Sequence, residues 1–355
     1  MRGLFSKFGF LLNIGIVLLL FLSYLAVVVP PDSFWPLAFF GLAFPYLALI
    51  NFVFLVIWVL QRSKRLILPL LVLVLGANHL NNTFKLIPAI GSRDGGIKVL
   101  SFNVHGFKSD LRSKSKSDPK IVEYLKSTGT GIVCLQEISV MKSGKLSMQA
   151  MRDELPGIKY YQMASPGNST GMVTFSRFPI INMGEIRFPG SSNFVIFSDI
   201  KISNHLIVRV YNCHLQSYAI DPDDYEIATS SESKPDNQQM EKAKKISYKL
   251  KSGFILRAGQ ARMVDDHIRK SPYPVIVCGD FNDTPVSYTY RKVRGELKDA
   301  FVESGWGLSN TYNGKLPSFR IDYIFADNKF TITNYQRGKI NYSDHFPIQC
   351  LVRFD

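Results

Sequence analysis

Three apolar runs open the chain, and an alternation of short apolar segments with polar breaks fills the rest. Phe10 to Val29 is twenty residues without a charge, enough to cross a hydrocarbon core of about 30 Å as a helix. A second uncharged run extends from Phe34 to Leu60, with Pro36 and Pro45 inside it, and Pro30-Pro31-Asp32-Ser33 is a tight polar break between the two. A third run, Leu66 to Ala77, is only twelve residues and becomes long enough to span only if it continues through Leu80 to about Ile87. Residues 1–90 are therefore expected to form a membrane anchor with about three transmembrane helices, so a lipid bilayer is one expected partner. A cleaved leader is the competing reading of the first run. Val27-Val28-Val29-Pro30 offers no small-residue cleavage site, and a second span follows directly.

Charge gives the anchor a direction. Arg2 and Lys7 precede the first run, and Arg62, Lys64 and Arg65 separate the second from the third. The excess of basic residues on the cytoplasmic side makes the first two runs a hairpin. If the third run spans, the remainder lies outside the cytoplasm; if it lies along the interface, the remainder is cytoplasmic. The first arrangement is preferred: a multi-pass protein of the plasma (inner) membrane with its larger part extracytoplasmic.

Gly91-Ser-Arg-Asp-Gly-Gly96 reads as a flexible linker, and residues 97–355 as one folded domain. Apolar β-rich segments are expected as strands at Ile97–Val104, Gly131–Glu137, Tyr160–Met163, Gly171–Phe175, Ile186–Phe188, Phe194–Ile202, Leu206–Cys213, Val275–Cys278, Phe319–Phe325 and Phe346–Val352. Helical spacing marks Pro119–Ser127, Met148–Leu155 and Met240–Leu250, then a stripe from Phe254 to Ile268 stopped by Pro272 and Pro274. Residues 218–238, polar and acidic, are expected to be irregular. The pattern predicts an α/β protein with two packed, mainly antiparallel sheets. The four cysteines, Cys134, Cys213, Cys278 and Cys350, each sit inside an expected strand and read as small buried hydrophobes, with no metal or disulfide spacing.

Polar residues concentrate where strands end. Asn103, Glu137, His214, Asp280, Asn282, Asp322, Asp344 and His345 all fall at or next to an expected strand terminus. Each alone has a plain explanation as a loop residue or a hydrogen-bonded core residue; eight together are what one shared site requires. Carboxylate and amide oxygens without cysteine favour a hard cation, Mg²⁺ or Mn²⁺, over zinc. Glu137 and Asp344 are the natural anionic ligands, with Asn103 adding a neutral oxygen. Such an ion polarises a phosphoryl oxygen and stabilises a leaving oxygen. Asp322 could hold the His345 imidazole in one tautomer, Asp280 is suited to orient or deprotonate a water, and Asn282 to donate to transition-state oxygens.

The ordered set SFNV, CLQE, NCHLQS, GDFND, RIDYIF and SDHFP resembles the endonuclease/exonuclease/phosphatase superfamily, over about residues 97–355. Members include pancreatic deoxyribonuclease, abasic-site endonucleases, neutral sphingomyelinases and inositol-phosphate 5-phosphatases. The resemblance implies a four-layer αββα sandwich of two facing, mainly antiparallel sheets and a divalent-metal phosphoesterase. It makes Glu137 a metal ligand, with Asn103 and Asp344 contributing nearby. It makes His345 with Asp322 a His–Asp pair acting on water or phosphate, Asp280 the group that positions the nucleophile, Asn282 a phosphate contact, and His214 an acid or phosphate ligand. Whether His345 or Asp280 is the base stays open.

Substrate is less legible. The chain carries 42 basic and 28 acidic residues, of which 36 and 27 fall after residue 90, and a basic balance suits any phosphorylated partner. The stretch after His214 holds Asp221, Asp223, Asp224, Glu226, Glu232 and Asp236 against Lys234, which disfavours a long polyanion near the mouth. An anchored hydrolase of lipid headgroups or small phosphoesters fits these features; the alternative is an extracytoplasmic nuclease acting on DNA or RNA, for which the Lys/Arg-rich stretch 108–120 speaks. A silent scaffold is disfavoured by the full set of polar strand ends, and a transporter by the lack of paired charges in the spans. No protein partner is indicated.

Overall fold

The computed structural model describes residues 2–87, 95–108, 120–139, 147–167, 170–218, 237–314 and 318–354. Helices α1 (Arg2–Leu25), α2 (Pro31–Phe34) and α3 (Pro36–Leu60) form an N-terminal hairpin, with Pro31 and Pro36 at helix starts, where a missing N–H costs nothing. Within it, Lys7–Leu25 and Pro36–Leu60 are long and apolar enough to cross a membrane. The third run is a bent pair, α4 (Ile67–Leu75) and α5 (Ala77–Thr83), whose axes differ by 62°. It could make a third span only as a broken one. The continuation expected toward Ile87 is instead β1 (Phe84–Lys85), a two-residue strand on the folded domain.

Beyond the anchor come β2 (Ile97–Asn103), α6 (Lys120–Thr128), β3 (Ile132–Ile138), α7 (Met148–Glu154), β4 (Tyr160–Ala164), β5 (Gly171–Ser176), β6 (Ile180–Arg187), β7 (Phe194–Lys201) and β8 (Ile207–His214). Then follow α8 (Asn237–Arg269), β9 (Val275–Asp280), α9 (Tyr288–Arg294), β10 (Lys298–Asp299), α10 (Ala300–Ser304), β11 (Gly307–Leu308), β12 (Asp322–Ala326), β13 (Phe330–Arg337) and β14 (Ile348–Phe354). One six-stranded sheet has the order β13-β14-β2-β3-β5-β4, the other β10-β12-β9-β8-β7-β6, and β1 pairs with β11. Each large sheet is antiparallel except for one central parallel pair, β2 with β3 and β8 with β9.

Packing gives four layers. Val99, Cys134, Val210, Ile276, Cys278 and Cys350 meet between the sheets, so three of the four cysteines are part of the inter-sheet core. Cys213 faces the other way, beneath α8 and α9 with Val264 and Val293. On the opposite outer face, Ile121 and Leu125 of α6 and Met151 of α7 cover Phe102, Leu135 and Phe175.

Helices α9 and α10 and strands β10, β11 and β13 have no counterpart in the sequence pattern, and three expected segments differ in their bounds. The two helical stretches after residue 240 are one 33-residue helix, because Ser252-Gly253 carries no proline or cap to end it. Strand β6 begins six residues before Ile186, as an exposed edge strand without apolar alternation. Strand β12 starts at Asp322 instead of Phe319, because the Thr311 hydroxyl accepts the Ile321 and Asp322 amides, both at 3.0 Å, and draws residues 319–321 into a loop. The linker residues 91–94, most of the basic stretch 108–120 and the acidic stretch 219–236 lie outside the described residues.

The N-terminal helices and the folded domain are in direct contact. Arg262 of α8 donates to both Asp32 carboxylate oxygens at 3.0 and 2.9 Å, and Phe39 packs edge-on against Phe254 at 5.3 Å. Gly41 lies against the Val286 carbonyl so closely that any side chain would collide with it. Arg320, buried and paired with Asp299, donates to the Asn82 carbonyl of α5 at 2.7 Å.

Gly279 sets the spacing inside the second sheet. Its φ is +142° and an added Cβ would strike the Cys213 carbonyl of the neighbouring strand, so close backbone approach requires glycine here. Gly279→Ala should lower stability by about 3 kcal/mol in chemical unfolding of the full chain, the upper end of common single-site effects. Gly129→Ala, at φ +59° with open space around it, should cost only about 1 kcal/mol. Equal losses at the two sites would refute the steric account.

Candidate active site

Between the sheets, apolar packing gives way along the strands to buried amides and then to ionisable groups. Ser101, Gln136 and Asn212 form the intermediate step: Gln136 Nε2 donates to Asn212 Oδ1 at 2.7 Å, joining the sheets, and Asn212 Nδ2 donates to the Leu135 and Val173 carbonyls. One residue pair further on, His214, Asp280 and Asp322 stand side by side in register on β8, β9 and β12. Asn103 and Glu137, at the ends of β2 and β3, face them from the other sheet.

The backbone is bent to bring these groups together. Glu137 has φ +53° at a register shift in the β3–β5 ladder, a bulge that re-aims its side chain. Asn282 at φ +52° and His105 at φ +46° are also left-handed, a conformation that costs a non-glycine residue about 1–2 kcal/mol. Strain of this kind gathers where side-chain placement matters more than backbone comfort.

All eight residues expected from the sequence converge in one polar network, seven joined by hydrogen bonds and His214 by charge contacts alone. Asn103 Nδ2 donates to Glu137 Oε1 and Asp280 Oδ2, each at 3.0 Å. Asp280 Oδ1 accepts the Asn282 backbone N–H at 2.8 Å, and Asn282 Nδ2 donates to the Leu215 carbonyl at 3.0 Å and to Asp280 Oδ2 at 3.2 Å. His345 Nδ1 lies 2.9 Å from Asp322 Oδ2, and its Nε2 lies 3.6 Å from Asp280 Oδ2. His214 Nε2 sits 3.4 Å from Glu137 Oε1 and 3.9 Å from Asp280 Oδ2. Asp344 reaches the network through His105, whose Nδ1 is 3.4 Å from Asp344 Oδ1 and 3.5 Å from Glu137 Oε2.

Burial divides the network into a floor and a rim. The side chains of Asp280 and Asp322 are each 1 % exposed and His345 6 %, whereas Glu137, Asp344 and His105 are 25, 32 and 34 % exposed. On the floor, loss of water pushes the Asp280 carboxyl up to about 6, with Asp322 adding to the rise while His345, His214 and Asn103 oppose it. Burial alone would lower the His345 imidazolium, but the carboxylates of Asp322 and Asp280 outweigh it and raise the group to about 10. At the rim, burial resists ionisation of Glu137, yet His105, His214 and Asn103 hold it well below the usual carboxylate range.

The donor set suits a hard cation at the rim. Glu137 is held as an anion, and it converges with Asp344 on one point now contacted by the His105 imidazole. Asn103 presents its NH₂ to the carboxylates, while its Oδ1 accepts the His105 N–H at 3.0 Å; supplying an oxygen ligand would require the amide to turn over. Asp280, Asp322 and His345 also lie close enough to share an ion. Two of the three, however, are already a hydrogen-bonded His–Asp pair carrying a proton.

The sequence pattern missed several contributors. His105, two residues past Asn103, passed as a loop residue. Ser343 donates to the Asn103 carbonyl at 2.7 Å and accepts the His345 N–H at 3.2 Å, fastening the last loop to β2. Tyr312 packs its ring edge-on to His345 at 5.7 Å. The network opens into a cavity of about 530 Å³ whose other walls include Phe39, Leu42, Ala43 and Tyr46 of α3.

A four-layer sandwich with carboxylates, amides and imidazoles converging between its sheets is the frame of a hydrolase that works on phosphoesters. The chain belongs to the endonuclease/exonuclease/phosphatase family, whose profile matches residues 100–345. A domain family of unknown function matches residues 5–83, covering the N-terminal helices. No curated relative matches the sequence. Among solved structures, an endonuclease/exonuclease/phosphatase from Beutenbergia cavernae superposes with a TM-score of 0.51 at 16 % identity, over 74 % of this chain and 72 % of that one. A family protein from Bacteroides thetaiotaomicron gives 0.50 at 16 % identity, over 74 % of this chain and all of the other. The human Nocturnin catalytic domain, solved with a bound sulfate anion, gives 0.50 at 18 % identity, over 73 % of this chain and 95 % of that one. At these identities the likeness is one of fold.

Replacing Asp322 by Asn should free His345 from its carboxylate and move its titration from about 10 down by about one unit or more. Histidine NMR of the full protein reads this directly, and an unmoved resonance would show that Asp322 does not hold the proton.

Proposed function

We propose that the protein is a membrane-anchored, divalent-metal-dependent hydrolase of lipid-headgroup or other small phosphoesters. The observation that carries this reading is the buried His345–Asp322 pair set 3.6 Å from the Asp280 carboxylate on the cavity floor. When bound by Glu137 and Asp344, with Asn103 beside them, Mg²⁺ or Mn²⁺ supplies a Lewis acid for the phosphoryl and leaving oxygens. The chain's own groups do the rest. Asp280, a stronger base than an ordinary aspartate and held by Asn103 and Asn282, orients the attacking water and accepts its proton. Asp322 keeps the protonated His345 pointed at the floor, where its Nε2–H can donate to a phosphoryl oxygen. His214 is near enough to Glu137 and Asp280 to serve as a second donor from the opposite side.

Nucleic acid is the second reading, supported by the basic balance of the sequence. The cavity speaks against it: among the described residues that line it there is no lysine or arginine, although Lys108 reaches the rim through His105 at 3.0 Å. A polyanion track needs several cationic contacts.

This mechanism requires an ionised Asp280 and a protonated His345, so hydrolysis should fall as pH drops below about 6 and again as it rises through about 10. EDTA should abolish it and Mg²⁺ or Mn²⁺ restore it, while Asp280→Asn should cost about 10²–10⁴ in kcat, the contribution of a general base. Initial rates of hydrolysis of a panel of phosphomonoesters and phosphodiesters check all three. Activity that survives both EDTA and the substitution would end the proposal.

We further propose that the domain lies outside the cytoplasm, a reading supported by the two ends of the hairpin. Arg65 stacks over Phe10 and Trp58 at 5.1 and 5.3 Å at one end, while the domain grips Asp32 at the other. With the basic end in the cytoplasm, the hydrolase domain is extracytoplasmic. A reporter that functions only outside the cytoplasm, fused after Asp355, should be active in cells; a silent fusion alongside an active cytoplasmic one would reverse the orientation.

A further inference from the structure

The cavity is built from two different materials. Its floor is the ionisable network, but one wall is α3 itself, through Phe39, Leu42, Ala43 and Tyr46. Across from that wall, Ile246 and Leu250 of α8 add apolar surface. The residues of α3 are spaced three and four apart, so they form one face of the helix. The same face continues beyond the cavity as Leu49, Ile50 and Val53, which are 61, 40 and 49 % exposed. An apolar track thus leads without interruption from the catalytic floor along a helix long and apolar enough to cross a membrane. A water-soluble phosphoester has no use for such a track, and an extended polyanion finds no cationic side chain along it.

From this juxtaposition we infer that the substrate is a membrane lipid: a phosphoester whose phosphate lies over Asp280 and His345 while its hydrocarbon chain runs along the Phe39–Tyr46 face of α3. This rests on the phosphoester reading above and narrows it. The anchor is then part of the substrate site, and Leu42, Ala43 and Tyr46 are specificity-determining residues. The lipid need not leave the bilayer to be cleaved, because the helix that holds its chain is the helix that stands in the hydrocarbon. Burial of alkyl chain against α3 removes apolar surface from water and favours binding, so chain length should act on affinity more than on turnover.

The test uses the full-length protein in detergent micelles with Mg²⁺ and paired probes that share a phosphate and differ in hydrocarbon: phosphatidic acid against glycerol 3-phosphate, and phosphatidylcholine against glycerophosphocholine. One lipid of a pair should be preferred over its deacylated partner. Leu42→Gln and Ala43→Trp should lower kcat/KM for that lipid by about tenfold or more, chiefly through KM, as expected for a spoiled apolar pocket. The loss for the deacylated probe should be several-fold smaller, so the ratio of the two kcat/KM values, lipid over deacylated probe, should fall in both variants. A non-hydrolysable lipid phosphonate with a photoreactive chain should label α3 between Phe39 and Tyr46, a readout that needs no turnover. Equal hydrolysis of lipid and deacylated probe, indifferent to both variants, would overturn the lipid inference and leave the phosphoesterase standing. Preferential cleavage of a DNA or RNA oligonucleotide would overturn it in favour of a nuclease. Absence of hydrolysis of every probe, read as phosphate from the monoesters and as choline or phosphocholine from the diesters, would bring down the phosphoester reading with it.

Discussion

An aspartate almost wholly withdrawn from water dictates what can surround it. Asp280 ends a strand covered on both faces, and its charge is tolerated only because Asn103, Asn282, His345 and His214 converge on it from separate segments. Those segments lie in two different sheets, so the sheets must be held at one spacing and one register for the carboxylate to exist as an anion. The features that hold them also look costly when viewed alone: a glycine that admits the Cys213 carbonyl, amides buried between the sheets, and left-handed backbone at Glu137 and Asn282. Together they keep a carboxylate and an imidazolium within reach of one another in a low-dielectric floor, where each perturbs the other's proton affinity most strongly.

Much of this frame was readable from residue patterns. Central strands such as Val275–Cys278 announce themselves because both faces are covered, and the polar residue at the end of each then stands out against an apolar run. That contrast is why Glu137, His214 and Asp280 could be singled out. The helix α8 was harder, since Gly253 in its middle looks like a break when packing is unknown. His105 was passed over because a single histidine in a loop carries no pattern; only the two carboxylates on either side of it give it meaning. Phe39, Leu42, Ala43 and Tyr46 were illegible for the opposite reason. In a segment that is apolar all round, no periodicity tells which face meets the domain.

The N-terminal hairpin is packed on the domain as well as joined to it by the chain. Its contacts with the domain are polar and geometrically specific as well as apolar: the two-pronged grip of Arg262 on Asp32, the Arg320–Asp299 pair reaching the Asn82 carbonyl, and the glycine at 41 that lets α3 approach Val286. Contacts of this sort fix orientation rather than add generic adhesion. They hold the cavity mouth against α3 and leave little freedom for the domain to swing on its linker.

One small contact inside the hairpin acquires weight from this arrangement. Trp58 Nε1 donates to Asn13 Oδ1 at 3.1 Å and Asn51 Nδ2 to the Ile16 carbonyl at 3.4 Å, both reaching from α3 to α1. In hydrocarbon a polar pair of this kind works as a dowel, pinning the rotation of one helix about its own axis relative to the other. A helix turns about 100° for each residue it slips, so losing that pin by a single step would carry Leu42 and Tyr46 out of the cavity and present another side of α3 in their place. The angular setting of a wall at one end of α3 is thus kept, in part, by a hydrogen bond near the other.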